Sequence, residues 1–181
     1  MKRYFAVIMF FAVLGISGSC LGQAIKGTYA IKNSSTGMLL RPLDASNKNA
    51  APLVSYSPTN WKCMTWDFRQ VEDQTYSLRN LLTGKTFQPA GSEPAEGTAL
   101  QQQPLQEQAS NQQWEFIPAK DNSFLIRLKG TDLYITPTEQ GTVNSQIILA
   151  KKKPGNLQHW TIYEQHPVMY ELIHAADKCT G

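Results

Sequence analysis

The sequence predicts an all-β domain built from three four-stranded copies of one unit, closed around a pseudo-threefold axis. Three observations lead there. An alternating aromatic strand recurs at Thr28-Tyr29-Ala30-Ile31-Lys32, Thr75-Tyr76-Ser77-Leu78-Arg79 and Ser123-Phe124-Leu125-Ile126-Arg127. A tryptophan strand recurs at Trp66-Asp67-Phe68, Trp114-Glu115-Phe116 and Trp160-Thr161-Ile162. The spacings agree: 47 and 48 residues between the opening rings Tyr29, Tyr76 and Phe124, and 48 and 46 between the tryptophans.

Between those two strands each copy carries the same punctuation. Thr36-Gly37, Thr83-Gly84 and Thr131-Asp132 read as turns. Pro42, Pro89 and Pro137 follow at a constant offset, each two residues after an apolar Leu40, Phe87 or Ile135. A short β-prone stretch comes next: residues 53–56, 99–102 and 147–150. All these segments are short and of period two, with Gly, Pro, Asn or Ser at their ends. Helical periodicity is confined to the N-terminal segment and 168–176. A unit of this size cannot bury its inner face alone, so the copies must pack on one another. Four strands per copy also describes a propeller blade, but propellers typically use 4–8 blades. Three copies close better around a threefold axis. The repeats fall at about 27–73, 74–121 and 122–165 within a domain spanning 23–165, followed by a tail over 166–181.

Residues 1–22 read as a secretory signal peptide, with Lys2 and Arg3 ahead of an uncharged apolar run from Tyr4 to Ile16 and small residues after it. The run falls short of the roughly 20 residues that a spanning helix needs. Cleavage after Gly22 predicts a secreted or periplasmic protein. The alternative is a lipid anchor on Cys20, which follows Ser17-Gly18-Ser19. The whole chain of 181 residues has 17 Lys and Arg against 14 Asp and Glu. Removing Lys2 and Arg3 leaves 15 against 14. That balance excludes the basic footprint of a nucleic-acid binder, and Lys151-Lys152-Lys153 reads as a solvated loop. No apolar segment of the mature chain spans a membrane, and a monomer is expected. Cys63 and Cys179 remain after cleavage. In an oxidising compartment a disulfide between them would tie the tail to the body; two unpaired thiols are the alternative.

The repeats resemble ricin-type β-trefoil domains, which carry a Q-x-W motif near the end of each repeat. Here the motif reads Met64-Thr65-Trp66, Gln112-Gln113-Trp114 and Gln158-His159-Trp160. The resemblance covers about residues 27 to 165 and implies a β-trefoil with Trp66, Trp114 and Trp160 in a shared core. It also implies where sugars would bind. An Asp after the first strand pair accepts bonds from sugar hydroxyls, a ring farther on stacks on the sugar, and an Asn or Gln near the Q-x-W loop completes the pocket. The Asp position falls on Arg41, Gln88 and Thr136, none of them acidic. The ring position is read as Tyr56, Gln102 and Leu149, so only the first copy keeps an aromatic. Arg41, Asp44, Tyr56, Asn60 and Trp61 form the candidate glycan site of that copy. The alternative makes Tyr56 an ordinary strand residue, Trp61 a loop anchor and Asp44 a turn former. Asn111 and Asn156 lie in the corresponding loops of the other copies without a ring.

No catalytic constellation is visible. The three histidines, His159, His166 and His174, have no metal-binding spacing: Glu171 and His174 form one pair, and catalytic zinc takes three protein ligands. No nucleophile elbow, zincin or nucleotide-binding fingerprint occurs, and no two acids are nominated as a glycosidase pair. The expectation is a non-catalytic secreted carbohydrate-binding protein without cofactor or metal, recognising a glycan or polysaccharide. The alternative is a protein-interaction trefoil with no sugar site.

Overall fold

The computed structural model describes residues 24–167 of the chain. The first copy contributes β1 (Gly27–Asn33), β2 (Leu39–Pro42), β3 (Leu53–Tyr56) and β4 (Thr65–Glu72). The second contributes β5 (Thr75–Asn80), β6 (Thr86–Pro89), β7 (Leu100–Gln103) and β8 (Gln113–Pro118). The third contributes β9 (Phe124–Leu128), β10 (Leu133–Pro137), β11 (Ile147–Lys151) and β12 (His159–Glu164). The first and last strands of each copy pair in a closed antiparallel cycle, β1–β4–β5–β8–β9–β12 and back to β1. Closure removes the free edges of this barrel.

The middle strands form three hairpins, β2–β3, β6–β7 and β10–β11. These are joined into a ring by their loops. Ala50 N donates to Gln102 O and Gln102 N to Ala51 O; Gly97 N donates to Leu149 O and Leu149 N to Thr98 O; Asn144 N donates to Ser55 O and Ser55 N to Ser145 O. Each copy's loop is therefore pinned on the third strand of the next, and the third copy's loop returns to the first. This is a β-trefoil.

Threefold symmetry is strictest in the core. Four positions per copy are fully buried in all three copies: Ile31, Leu78, Ile126; Leu40, Phe87, Ile135; Leu53, Leu100, Ile147; and Trp66, Trp114, Trp160. The tryptophans sit where the sequence places them. Phe87 packs edge-on to Trp66 at 5.1 Å and tilted over Trp114 at 4.8 Å, geometries that aromatic quadrupoles favour. The indole N–H groups differ. Trp66 Nε1 donates to Leu40 O at 3.3 Å and Trp160 Nε1 to Ile135 O at 3.2 Å. Trp114 Nε1 is buried with no partner among the described residues.

The Thr turns also hold. Thr36, Thr83 and Thr131 Oγ1 accept from the N–H two residues on, at Met38, Lys85 and Leu133. Gly37 and Gly84 take φ of +72° and +68°, where a Cβ would be strained. Two asparagines, Asn33 and Asn80, are buried at the ends of β1 and β5. Each Oδ1 accepts from two turn N–H groups, while Nδ2 donates to Leu157 O and Cys63 O respectively. The third copy has Leu128 there. The N-terminal segment with Cys20 that is expected to be a signal peptide, the Glu171/His174 pair and Cys179 lie outside the described residues.

Candidate functional site

The Q-x-W glutamines explain how the copies diverge. A short 3-10 turn, Ser110–Gln112, leads into β8 and turns the Gln112 amide inward. Its Oε1 accepts from Gln106 N at 2.7 Å, and its Nε2 donates to Pro104 O at 3.0 Å and Gln88 Oε1 at 2.8 Å. Gln158 repeats the pattern with Lys153 N, Lys151 O and Thr136 Oγ1. So in copies two and three Gln88 and Thr136, the counterparts of Arg41, are tied internally to the motif glutamine. The buried amide satisfies backbone groups of its own loop as well.

The first copy breaks this arrangement. Met64, at the end of the 3-10 turn Lys62–Met64, is fully buried beside Ala30, Leu39 and Cys63. A thioether cannot hold a polar side chain at position 41. Arg41 instead turns to Asn144 of the third copy, donating from Nη2 to Asn144 Oδ1 at 3.1 Å. Its guanidinium carbon lies 3.5 Å from the centroid of the Tyr56 ring, a cation–π stack. Asp44 Oδ1 is 3.7 Å from Arg41 Nη2, with the Asp44 side chain 77% exposed and Arg41 almost wholly buried. Asp44 reaches this place through a left-handed backbone, φ +52°. An exposed carboxylate at that distance is a weak partner.

Tyr56, at the end of β3, is half-buried. Its ring centroid is 6.2 Å from that of Trp61, tilted by 32°. Trp61 is 49% exposed, the largest exposed apolar side chain among the described residues. It is held from behind: Trp61 O accepts from Met64 N at 3.0 Å. The structure thus brings Arg41, Asp44, Tyr56 and Trp61 together. Because Arg41 covers a face of Tyr56, the ring left to solvent is Trp61, with Tyr56 as its support. Asn60, the next residue back along the loop, lines a separate depression with Tyr163 and His166.

One expectation needs correction. Leu39 pairs with Tyr56, Thr86 with Gln103 and Tyr134 with Ala150. The counterparts of Tyr56 are therefore Gln103 and Ala150, one residue beyond the Gln102 and Leu149 read from the sequence. Successive strand residues face opposite sides: in the second copy the slip exchanges half-buried Gln103 for buried Gln102, while in the third both Ala150 and Leu149 are buried. Leu149 is core, and Gln102 is buried, bonding Thr83 Oγ1, Ser46 O and Lys48 O. Gln102 thereby fastens the 46–48 loop beside Asp44. Gln102 and Asn144 belong to the site's framework and had no signal in the first copy, because both arrive from other copies.

Cys63 is buried near Arg41; burial pushes its thiol up, against the lowering effect of the Arg41 charge. Burial also raises the Tyr163 hydroxyl, partly offset by its hydrogen bond with Gln165. Ser123 Oγ and His159 Nδ1 lie 2.9 Å apart, but Ser123 Oγ donates to Lys120 O at 2.6 Å. The hydroxyl proton is thus directed at a backbone carbonyl and away from the ring, unlike that of an activated serine. Among the described residues no group of three His, Cys, Asp or Glu side chains is placed to hold a metal ion, and no helix is long and apolar enough to cross a membrane.

The ricin-type β-trefoil lectin domain-like family matches over residues 20–103 and 62–151. The chain belongs to this family. The designed threefold-symmetric protein ThreeFoil is similar in fold, with a TM-score of 0.72 at 18% identity over 77% of this chain and 99% of its own. So is the Macrolepiota procera ricin B-like lectin in complex with lactose, at TM-score 0.64 and 22% identity over 80% of this chain and 100% of its own. The exo-β-1,3-galactanase 1,3Gal43A from Clostridium thermocellum is similar over 75% of this chain but only 30% of its own, at TM-score 0.70 and 22% identity. No curated protein matches in sequence.

Proposed function

We propose that this is a non-catalytic carbohydrate-binding protein, secreted or periplasmic, that recognises a glycan or polysaccharide chiefly through its first repeat. Membership of the lectin-like family supports carbohydrate binding in general. The observation that carries the repeat-one reading is Trp61, half-exposed, backed by Tyr56 and flanked by Arg41 and Asp44. Sugar sites combine such a ring platform with a few convergent polar groups. The leader directs export, and the mass of the mature N-terminus separates cleavage after Gly22 from diacylation at Cys20. The test of binding is Trp fluorescence titration against a broad panel of simple sugars and polysaccharides, lactose included. Binding should perturb the emission of the wild type, and Trp61→Ala should abolish binding while changing stability by no more than about 0.5 kcal/mol. No response to the whole panel by the wild type would retire the glycan reading. A protein-interaction trefoil would then take its place, favoured by the internal engagement of Gln88 and Thr136.

A further inference from the structure

We infer that the depression behind Trp61 is a second saccharide subsite, so that the ligand is a neutral oligosaccharide rather than a single sugar; this rests on the glycan reading above. The depression measures about 330 Å³ and is formed between the 58–60 loop and the end of β12. That volume is at the lower end of the range for small-molecule sites, about 300–1,000 Å³, and suits one sugar ring.

Its walls are fixed to the barrel. Gln165 Nε2 donates to Thr59 O at 3.4 Å, and Gln165 Oε1 accepts from Thr65 Oγ1 at 2.7 Å. The Gln165 backbone exchanges bonds with Thr28, whose Oγ1 donates to Gln165 O at 2.7 Å. Its lining is chemically suited to hydroxyls. Asn60 lines the depression, while its Oδ1 has almost no open surface and accepts nothing among the described residues. A buried amide oxygen without a donor is unfavourable, and a turn of this side chain would bring it to a sugar O–H. The Tyr163 hydroxyl accepts from Gln165 Nε2 at 3.3 Å, leaving its own proton to donate. Glu164 and His166 stand 3.2 Å apart at the rim, both more than half exposed. The Glu164 carboxylate accepts from hydroxyls and repels an anion, which selects neutral sugars. Pro58 supplies an apolar wall. Asn60 and Trp61 are consecutive, so a ligand stacked on Trp61 reaches the depression by extending over a single residue of loop.

The experiment compares chain lengths by calorimetric titration: galactose and lactose, glucose with cellobiose and cellotriose, and N-acetylglucosamine with chitobiose and chitotriose. In at least one series the wild type should bind the di- or trisaccharide about tenfold more tightly than the monosaccharide, a gain of about 1.4 kcal/mol. Asn60→Ala and, separately, Glu164→Ala should each remove most of that gain, and Glu164→Ala should leave monosaccharide affinity unchanged. Trp61→Ala should remove binding at every length. Equal affinity at all lengths in the wild type would overturn the subsite while leaving the Trp61 reading in place. So would a length-dependent gain that survives both variants. No binding at any length in any series would remove the glycan reading and the subsite together.

Discussion

Replacing Trp160 by phenylalanine should cost more than replacing Trp114 by phenylalanine, although both indoles are fully buried at equivalent positions. The apolar loss is the same in kind. A cavity of about 40 Å³, the difference between the two side chains, costs about 1 kcal/mol in a core that collapses only in part. The polar terms differ. In Trp160→Phe the Ile135 carbonyl loses the indole N–H that reaches it at 3.2 Å, and an unsatisfied buried group costs about 1–3 kcal/mol. In Trp114→Phe the lost N–H had no partner among the described residues, so its removal relieves a penalty. The two variants should differ by about 1–3 kcal/mol. For a domain of this size that places the Trp160→Phe melting temperature about 2–12 °C below that of Trp114→Phe. Trp66→Phe, which strands Leu40 O, should group with Trp160→Phe. Calorimetric melting, with urea m-values to verify two-state behaviour, measures all three. Equal melting temperatures, or a lower value for Trp114→Phe, would refute the assignment of the indole bonds.

Two other outcomes follow from buried polar groups. Asn80→Ala removes the acceptor for Leu82 and Thr83 N–H and the donor to Cys63 O; urea denaturation should show a loss of about 2–4 kcal/mol. Tyr163, raised by burial, favours the neutral phenol in the fold. Its contribution is fully present below the unfolded phenol pKa of about 10 and is lost as pH rises through the higher folded value. Melting temperature should therefore decline as pH rises from about 10 toward the higher folded value and level off above it, and Tyr163→Phe should decline less.

Packing was legible in the sequence because the same chemistry had to appear three times. The opening aromatics, the Thr turns and the tryptophans recur at fixed spacing, and each recurrence checks the others. The site was legible only in its local part. Tyr56 and Trp61 could be named from residues five apart, but their neighbours Asn144 and Gln102 come from the third and second copies, where no local pattern marks them. The one-residue slip at Gln102 and Leu149 has a similar origin: short runs leave strand phase open, and cross-strand pairing to β6 and β10 sets it. The stacking of Arg41 on Tyr56 followed from Met64, whose effect is visible only beside the Gln112 and Gln158 bonds of the other copies. Asn33 and Asn80 were invisible because the third copy lacks their counterpart.

The seam of the barrel has a kinetic consequence. β12 lies between β1 and β9, with Tyr29 opposite Glu164. A chain made from its N-terminus holds the outer edge of β1 unpaired until almost all of the domain has been synthesised. Pairing across such sequence separation is slow, on the order of milliseconds to seconds for folds dominated by non-local contacts. Until β12 arrives, that edge is open to pairing with other chains, so the final strand both completes the barrel and ends its exposure to misassembly.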